Sequence, residues 1–415
     1  MTDDARTIDI NGRTYHWPRQ PVVVVCIDGS EPGYVEAAVE TGKAPFFARI
    51  LAEGTNRLAD CVIPSFTNPN NMSIVTGVAP AIHGIAANFF YDPDADEDVM
   101  TNAPKFLWVD TIFKAFFDSG AKVAIVTAKD KLTPLLGHGL DFSSGRAISF
   151  SSEKSDQTTL AKNGIERADQ FVGLPVPDVY SAELSAFIFA AGVKLMERDR
   201  PDVMYLSTTD YIQHKHAPGA PVANDLYIMM DRYLAQLEDM DCVIGLTADH
   251  GMNAKHTDEG EPDVIYLQDV MDSWSLGGQA RVVLTITDPY VVHHGALGSF
   301  CTLYLSADAD AYAYAAKIRE LDGVLAVYSR SQGCAEFELP EERMGDLIVI
   351  SEKHKVLGAK TANHDLSGLT VPLRSHGGLT EQRVPLLVNR PPSGLAEDRR
   401  LRNFDIFDVA LNHAQ

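Results

Sequence analysis

The chain has 415 residues, which exceeds the usual size of one hydrophobic core and favours a large domain with a smaller one. Its formal net charge of −22 argues against a nucleic-acid partner, because phosphate backbones require clustered lysine and arginine. No apolar run reaches the length of a bilayer span, and the acidic N-terminal sequence lacks the apolar core of a signal peptide. We therefore expect a cytoplasmic protein with no membrane partner.

The five cysteines are widely spaced, and no C-x-x-C occurs among them. They stand mostly in apolar, strand-like runs. This pattern favours core thiols in a reducing compartment over disulfides or a thiolate metal site.

Up to about residue 250, segments typical of buried strands alternate with segments typical of helices. The β-branched run Pro21–Ile27 predicts the first central strand. Further strands are predicted at 61–63, 122–127, 203–207 and 242–246, and helices at 44–52, 68–76, 111–119, 182–198 and 222–240. The alternation predicts an α/β fold with a doubly wound, mostly parallel sheet. Residues 143–178 carry little apolar periodicity and predict surface structure, as does the acidic turn at 91–98.

Beyond Gly251 the pattern becomes rich in strands. Strand-like segments occur at 281–287, 300–305, 324–328 and 347–350, with one clear helix at 309–321. We expect an α+β cap domain at 265–365, inserted into a metal-binding core domain made of 1–264 and 366–415. His293 and His294 fall in this insertion and are expected at its surface or behind the site. The core resumes with a strand at 384–388 and a last helix at 405–414.

Metal-ligand residues recur where predicted strands end, which is the edge where open α/β sheets bind their ligands. The apolar strand at 242–246 leads into Asp249-His250-Gly251. Singly, each candidate has an ordinary alternative: a turn residue, a helix N-cap or a loop histidine. Jointly, three aspartates and three histidines suffice for two metal ions, with zinc preferred and iron or manganese as alternatives. The candidates are Asp28, Asp210, His214, Asp249, His250 and His376.

Thr67 is the candidate nucleophile. It stands before the predicted helix at 68–76, and a helix N-terminus favours both an alkoxide and a bound phosphoryl group. A hydroxyl is a poor nucleophile at neutral pH unless a metal lowers its pKa. The alternative is that Thr67 serves only as the N-cap of this helix.

These segments, in this order, resemble the alkaline phosphatase superfamily, and most closely its nucleotide pyrophosphatase/phosphodiesterase branch. Within it, the stretch Thr127–Leu132 makes the chain most similar to the phosphonoacetate hydrolases. The resemblance spans about residues 21–390. The shared segments are Asp28-Gly29, Pro64–Asn68, Gly77–Ile85, Asn88, Asp210 with His214, Asp249–Gly251 and Ser375–Gly377.

The resemblance implies two zinc ions and a role for each matched residue. One zinc would be held by Asp28, Thr67, Asp249 and His250, and the other by Asp210, His214 and His376. Asn88 and the backbone amide of Thr67 would hold a phosphoryl oxygen. The implied reaction is hydrolysis of the carbon–phosphorus bond of phosphonoacetate to acetate and phosphate, through a phosphothreonine at Thr67.

Lys129 and Lys131 follow a predicted strand and are spaced so that both can point to one side. Cleavage of a C–P bond expels a carbanion, which a neighbouring carboxylate can delocalise. Two cations at that carboxylate would stabilise the developing charge. The alternative is a pair of solvated loop lysines.

The expected partner is a small anionic phosphonate, and a homodimer is kept as a hypothesis. The first alternative function is a di-zinc phosphodiesterase or nucleotide pyrophosphatase, in which an aromatic slot for the base replaces the lysine pair. A sulfatase is disfavoured, because no cysteine stands at the nucleophile position. A metal-free binding module is the alternative from outside the enzymes.

Overall fold

The computed structural model describes residues 6–274, 276, 278–286 and 295–414. Within this part of the chain the strands, numbered in chain order, are β1 Thr7–Ile10, β2 Arg13–His16, β3 Val22–Cys26, β4 Thr55–Asp60, β5 Phe89–Asp92, β6 Glu97–Met100, β7 Val123–Thr127, β8 Ala147–Ser151, β9 Val203–Ser207, β10 Val243–Thr247, β11 Asn253–Ala254, β12 Val264–Tyr266, β13 Ala280–Val283, β14 Phe300–Leu305, β15 Val324–Ser329, β16 Leu347–Ser351, β17 Val356–Gly358, β18 Arg374–Ser375, β19 Arg383–Val388 and β20 Leu401–Arg402.

The α-helices of the same residues are α1 Pro32–Glu40, α2 Pro45–Glu53, α3 Thr67–Thr76, α4 Pro80–His83, α5 Ile112–Asp118, α6 Thr133–Leu136, α7 Leu160–Asn163, α8 Ala168–Val172, α9 Glu183–Arg198, α10 Pro221–Asp239, α11 Leu267–Asp272, α12 Ala311–Arg319, α13 Arg330–Phe337 and α14 Ile406–Asn412. None of these helices combines the length and the apolar character needed to cross a bilayer.

A central sheet organises the chain. Among the described residues it has eight strands in the order β20-β4-β19-β10-β3-β9-β7-β8. Every neighbouring pair is parallel except the two pairs that β19 makes, with β10 and with β4. The predicted α/β fold with a mostly parallel sheet is therefore confirmed.

Strand β3 shows why helices cover both faces of this sheet. Its side chains are all buried and point alternately to opposite faces. Val23 and Val25 pack into the cluster formed with α1, α2, α9 and α10. Val22, Val24 and Cys26 pack into the cluster formed with α3, α5 and α14. Each fully buried valine contributes roughly 1.5–3 kcal/mol of transfer free energy, so this strand is a strong anchor for the site at its end.

A second, four-stranded sheet lies in the strand-rich part of the chain, in the order β13-β14-β16-β15 with all pairs antiparallel. Its hydrophobic cluster extends to Ile63 and Phe66, which precede α3. The Phe66 ring meets Phe300 of β14 edge-on at 6.1 Å. The strand-rich segment thus packs directly behind the start of α3. Its treatment as a separate cap domain stays a prediction.

Some of the secondary structure predicted from the sequence is wrong. Residues 143–178 are not all surface structure, because β8 forms the buried edge of the central sheet. Serines at alternate positions of β8 concealed its apolar pattern, and these serines are buried. The strand expected at 61–63 lies earlier, as β4, whose exposed Asn56 and half-buried Arg57 side chains weakened the signal. The acidic turn at 91–98 is the β5–β6 hairpin. Thr287, His293 and His294 lie outside the described residues.

Helix α3 starts one residue earlier than expected, so Thr67 is its first residue and not its N-cap. The cap position belongs to Phe66, whose extended backbone (φ −120°, ψ 159°) is the conformation a cap residue needs, and no side chain caps the helix there. The Thr67 hydroxyl is therefore not committed to capping. Gly77 ends the helix in the left-handed conformation at φ 72°.

Gly77 and Gly42 form a matched pair for testing how tightly α3 is fixed. Both have φ 72°, but a Cβ would overlap Tyr15 Oη at Gly77, whereas a Cβ at Gly42 meets nothing within 4 Å. We expect Gly42→Ala to lose about 1–2 kcal/mol of unfolding free energy from backbone strain alone. Gly77→Ala should lose about 1–3 kcal/mol more, because overpacking is added. Urea unfolding measures both, and equal losses would contradict the tight packing of the α3 end.

Candidate metal centre

The predicted ligands converge at one edge of the central sheet. Asp28 follows β3, Asp210 follows β9, and Asp249 with His250 follows β10, and these three strands are parallel neighbours. His376 comes directly after β18, which pairs with β11 just beyond His250. The carboxyl ends of parallel strands meet at one edge, which explains how residues more than 200 positions apart come together.

The six residues are at most 6% exposed. His250 Nε2 lies 3.2 Å from Asp28 Oδ1 and 3.8 Å from Asp249 Oδ2. Asp210 Oδ2 lies 2.8 Å from His214 Nε2 and 3.8 Å from His376 Nε2. The His250 and His376 rings stack with centroids 3.5 Å apart. Three carboxylates and three imidazoles therefore share one buried volume.

Backbone carbonyls orient all three histidine rings. The Nδ1 atoms of His214, His250 and His376 lie 2.8, 2.9 and 2.7 Å from carbonyl oxygens of Arg374, Gly251 and Ser65. A carbonyl only accepts hydrogen bonds, so each Nδ1 must carry a proton and donate it. In the neutral rings Nε2 then keeps its lone pair, directed at the carboxylates. This is the arrangement by which outer hydrogen bonds fix a metal-binding histidine.

The electrostatics of the protein alone are unfavourable here. Burial, followed by the Asp28 carboxylate, raises the pKa of Asp249 well above its ordinary value. Burial also favours neutral Asp210, but His214 outweighs it and the pKa of Asp210 lies well below its ordinary value. Burial lowers the pKa of His250, yet Asp249 and Asp28 raise it to about 10. Burial and the neighbouring histidines hold the pKa of His376 well below its usual range. Neighbouring groups thus differ in whether they hold a proton, a conflict that bound cations would relieve.

The donor set fits divalent cations. The ligand atoms of Asp28, Asp249 and His250 all lie within 4.8 Å of one another, as do those of Asp210, His250 and His376. Asp28 Oδ1 and His250 Nε2 are buried and have no hydrogen-bond partner among the described residues, a costly state unless a cation contacts them. His250 is common to both sets, whereas the sequence assigned it to one ion and His214 to the other. The partition of ligands stays a prediction.

Thr67 and Asn88 lie at the start of α3. Asn71 Nδ2 donates to Thr67 O at 3.0 Å and to Asp249 Oδ2 at 3.3 Å, which ties the first turn of the helix to a ligand carboxylate. Asn88 is buried, and its Oδ1 accepts the Asn68 N–H at 3.1 Å. The roles predicted for Thr67 and Asn88 need such a location, and those roles stay predictions.

Lys129 and Lys131 line a cavity of about 330 Å³. The charge of Lys129 lowers the pKa of Asp210, which places this lysine near the ligand cluster. Asn102, another lining residue, accepts a hydrogen bond from Asn68 Nδ2 at 2.9 Å, so the cavity also reaches the first turn of α3. The cavity is lined by Asn102, Lys129, Asp130, Lys131, Glu153, Lys154, Val179 and Tyr180.

A family model for type I phosphodiesterases/nucleotide pyrophosphatases matches residues 22–378. The chain belongs to this family. The predicted superfamily branch is therefore confirmed, and the central sheet described above is the core of the family's α/β fold.

Members of known structure are similar over nearly the whole chain. The crystal structure of phosphonoacetate hydrolase from Sinorhizobium meliloti 1021 in complex with phosphonoformate is 56% identical, covers 99% of both chains and gives a TM-score of 0.96. The complex of that enzyme with phosphonoacetate is 55% identical, covers 99% of both chains and gives 0.95. An uncharacterised pyrophosphatase/phosphodiesterase of Schizosaccharomyces pombe is 22% identical over 282 residues, which is 62% of this chain and only 50% of that relative.

Several contributors to the site were missed by sequence reasoning. Asn71 stands one helical turn after Thr67, so its i, i+4 spacing is a signal that could have found it. Arg374 orients His214 through its backbone carbonyl, for which a side-chain pattern gives no signal. Asn102 and Tyr180 reach the lysine cavity from segments without a motif.

Asp249→Asn and Asp210→Asn should change the unfolding free energy of the metal-free protein in opposite directions. Because the pKa of Asp249 is raised, the folded state keeps a proton that the unfolded state releases above about pH 4. Stability of the metal-free protein therefore falls as the pH rises, and Asp249→Asn removes this loss. Asp210, whose pKa is lowered, is ionised beside His214, so Asp210→Asn should destabilise.

Urea unfolding of both variants at about pH 5 and about pH 8, with and without zinc, measures these effects. Zinc at about 100 times its Kd adds about 2.7 kcal/mol to a protein that binds one ion. We expect about this gain for each of the two ions in the wild type, and loss of at least one ion's share in each variant. Equal destabilisation of the metal-free protein by the two substitutions would contradict the assigned protonation states.

Proposed function

We propose that the chain hydrolyses the carbon–phosphorus bond of phosphonoacetate, giving acetate and phosphate. The observation that carries this proposal is the lysine-lined cavity beside the ligand cluster and the start of α3. A metal centre alone suits any phosphoryl substrate, whereas two lysines suit a second anionic group on that substrate. The likeness to phosphonoacetate hydrolase over 99% of the chain supports the same substrate class.

Two zinc ions are the proposed cofactors, held by Asp28, Asp210, His214, Asp249, His250 and His376 with the Thr67 hydroxyl. When bound, such ions lower the pKa of a hydroxyl and of water and neutralise phosphoryl charge. The mixed oxygen and nitrogen donors, with no thiolate, suit zinc. The carbonyls that hold the three imidazoles present Nε2 toward the ions without rearrangement.

In the first chemical step the Thr67 hydroxyl loses its proton to solvent, its Oγ bonds to phosphorus, and the phosphorus–carbon bond breaks. The bonding pair leaves with the methylene carbon and delocalises into the carboxylate, and the carbon then takes a proton from solvent to give acetate. Thr67 begins α3, so its own backbone N–H, at the positive end of the helix, is placed to bind a phosphoryl oxygen. Asn88 accepts the Asn68 N–H at Oδ1 and donates one Nδ2 hydrogen to Ile286 O at 3.4 Å, which leaves its second Nδ2 hydrogen for the same group.

The second step returns Thr67 to its starting state. A water oxygen bonds to phosphorus, the Oγ–phosphorus bond breaks, and phosphate leaves. Lys129 and Lys131 act in the first step, where the substrate carboxylate gains charge as the C–P bond breaks. Because they bind the transition state more strongly than the ground state, they contribute to rate as well as to binding.

A di-zinc phosphodiesterase is the second candidate, and Tyr180 is the observation that favours it. Tyr180 lines the lysine cavity, is 40% exposed and lies 6.1 Å from the Tyr211 ring, so an aromatic surface is available to a leaving group. Against it, three lysines line the same cavity. A nucleobase is neutral and would offer these lysines no anionic group to bind.

Phosphate release by the zinc-loaded protein tests the proposed function. We expect rapid turnover of phosphonoacetate, slow turnover of an aryl phosphodiester, and loss of both with a chelator. Thr67→Ala is the control, because it lacks the nucleophile and should release no phosphate while the protein stays folded. Faster turnover of the diester would favour the phosphodiesterase, and turnover that survives thorough metal removal would exclude the metal mechanism.

Lys129→Met and Lys131→Met test the source of substrate preference. Each removes one cation from the developing carboxylate charge, so kcat/KM for phosphonoacetate should fall about 10²–10³-fold. Turnover of the aryl diester, which lacks that carboxylate, should stay within a few-fold. Lys162→Met, in α7 and outside the lining of this cavity, is the matched control. An equal fall for both substrates would show that the lysines serve structure rather than substrate choice.

A further inference from the structure

A buried ion pair stands behind the ligand cluster, between Lys255 and Glu381. Lys255 Nζ lies 2.9 Å from Glu381 Oε1, and both side chains are 0% exposed. The two residues are 126 positions apart and belong to the two segments that carry His250 and His376. The reaction proposed above gives this pair no part.

Glu381 joins the two ligand segments at several points. Its backbone carbonyl accepts the Gly251 N–H at 2.7 Å, one residue after His250. Its Oε2 accepts the Gly378 N–H at 3.0 Å, two residues after His376. Its Oε1 accepts hydrogen bonds from Asn253 Nδ2 and Thr380 Oγ1, both at 2.6 Å, in addition to Lys255.

The packing around this carboxylate leaves little freedom. A Cβ added at Gly251 would lie 3.2 Å from the Glu381 carbonyl oxygen, so the two segments are in close contact. Lys255 Nζ also donates to Lys353 O at 2.8 Å, which extends the network to the segment after β16. Burial raises the pKa of Glu381, but Lys255 and the hydrogen bonds outweigh it and hold the pKa below its ordinary value.

Such a pair is a poor way to gain stability. Removing two charges from water costs several kcal/mol per ion, and apolar residues of similar size often serve as well. A carboxylate, however, can accept hydrogen bonds from several segments at fixed geometry, which an apolar side chain cannot do. The arrangement therefore favours a role in position over a role in stability.

We propose that Glu381, held by Lys255, is a positioning residue that fixes the separation of His250 and His376 and thereby the affinity of the centre for metal. The stacked rings, with centroids 3.5 Å apart, belong to the two segments that this carboxylate joins. The inference rests on the proposed metal centre. Substitution of groups behind metal ligands lowers metal affinity about 10–100-fold, which sets the size of the expected effect.

The test is a zinc competition titration of the metal-free protein against a chromophoric chelator. Glu381→Gln keeps the side-chain shape but replaces one acceptor oxygen with a donor and leaves Lys255 without its counter-charge. Asp231→Asn is the matched control, because Asp231 is also a buried carboxylate that accepts a backbone N–H, from Phe47 in α2 at 2.8 Å. Circular dichroism fixes a temperature at which all proteins are folded.

We expect Glu381→Gln to weaken zinc binding by about 10–100-fold and Asp231→Asn to leave it unchanged. Thr380→Val removes one of the donors to Glu381 Oε1 with little change of volume, so it should weaken zinc binding by a smaller factor. If Glu381→Gln does not fold, the zinc affinity of Thr380→Val tests the proposal instead. Zinc affinity equal to wild type in Glu381→Gln, or in Thr380→Val where that variant decides, would overturn the inference. Absence of zinc binding by the wild type would instead overturn the metal centre itself.

Discussion

The mutual repulsion of three buried carboxylates is the constraint on which the site depends. Asp28, Asp210 and Asp249 meet at the end of three parallel strands whose side chains are buried and mostly apolar. Without cations, the protein must leave a proton on the Asp249 carboxylate and on the His250 imidazole. Divalent ions remove this conflict, because the same atoms then become ligands. The repulsion among the three carboxylates therefore explains both why they would bind cations strongly and why they are unfavourable without them.

Helix α3 places Thr67 beside these carboxylates. Its residues Asn68–Thr76 are all buried although the helix contains three asparagines, a composition that does not stabilise a core by itself. Hydrogen bonds compensate for the burial of the asparagines. Asn70 donates to carbonyls before the helix, Asn71 donates to Asp249, and Asn68 donates to Asn102. The polar helix thereby fixes the position of Thr67 relative to the ligands and to the lysine cavity. Function, rather than helix stability, explains this sequence.

The sequence was most informative where the type of a side chain indicates its environment, as apolar residues indicate burial. Apolar runs such as Val203–Ser207 predicted strands with correct bounds, and the ligand residues after them pointed to one sheet edge. Prediction failed where buried polar side chains form their hydrogen bonds or ion pairs with residues far away in the sequence. The serines of β8 gave no apolar signal, and nothing local marks Lys255 and Glu381 as partners across 126 residues. Thr67 was misplaced by one residue, because backbone conformation at Phe66, and not side-chain type, decides where the helix begins.

Anomalous scattering at the zinc edge from crystals of the zinc-loaded protein tests the central claim most directly. We expect two peaks at the carboxyl ends of β3, β9 and β10, one beside Asp28 and Asp249 and one beside Asp210 and His376. The same map would show which ion His214 and His250 each contact. A single peak, or none within reach of these side chains, would contradict a site built to hold two cations among three buried carboxylates.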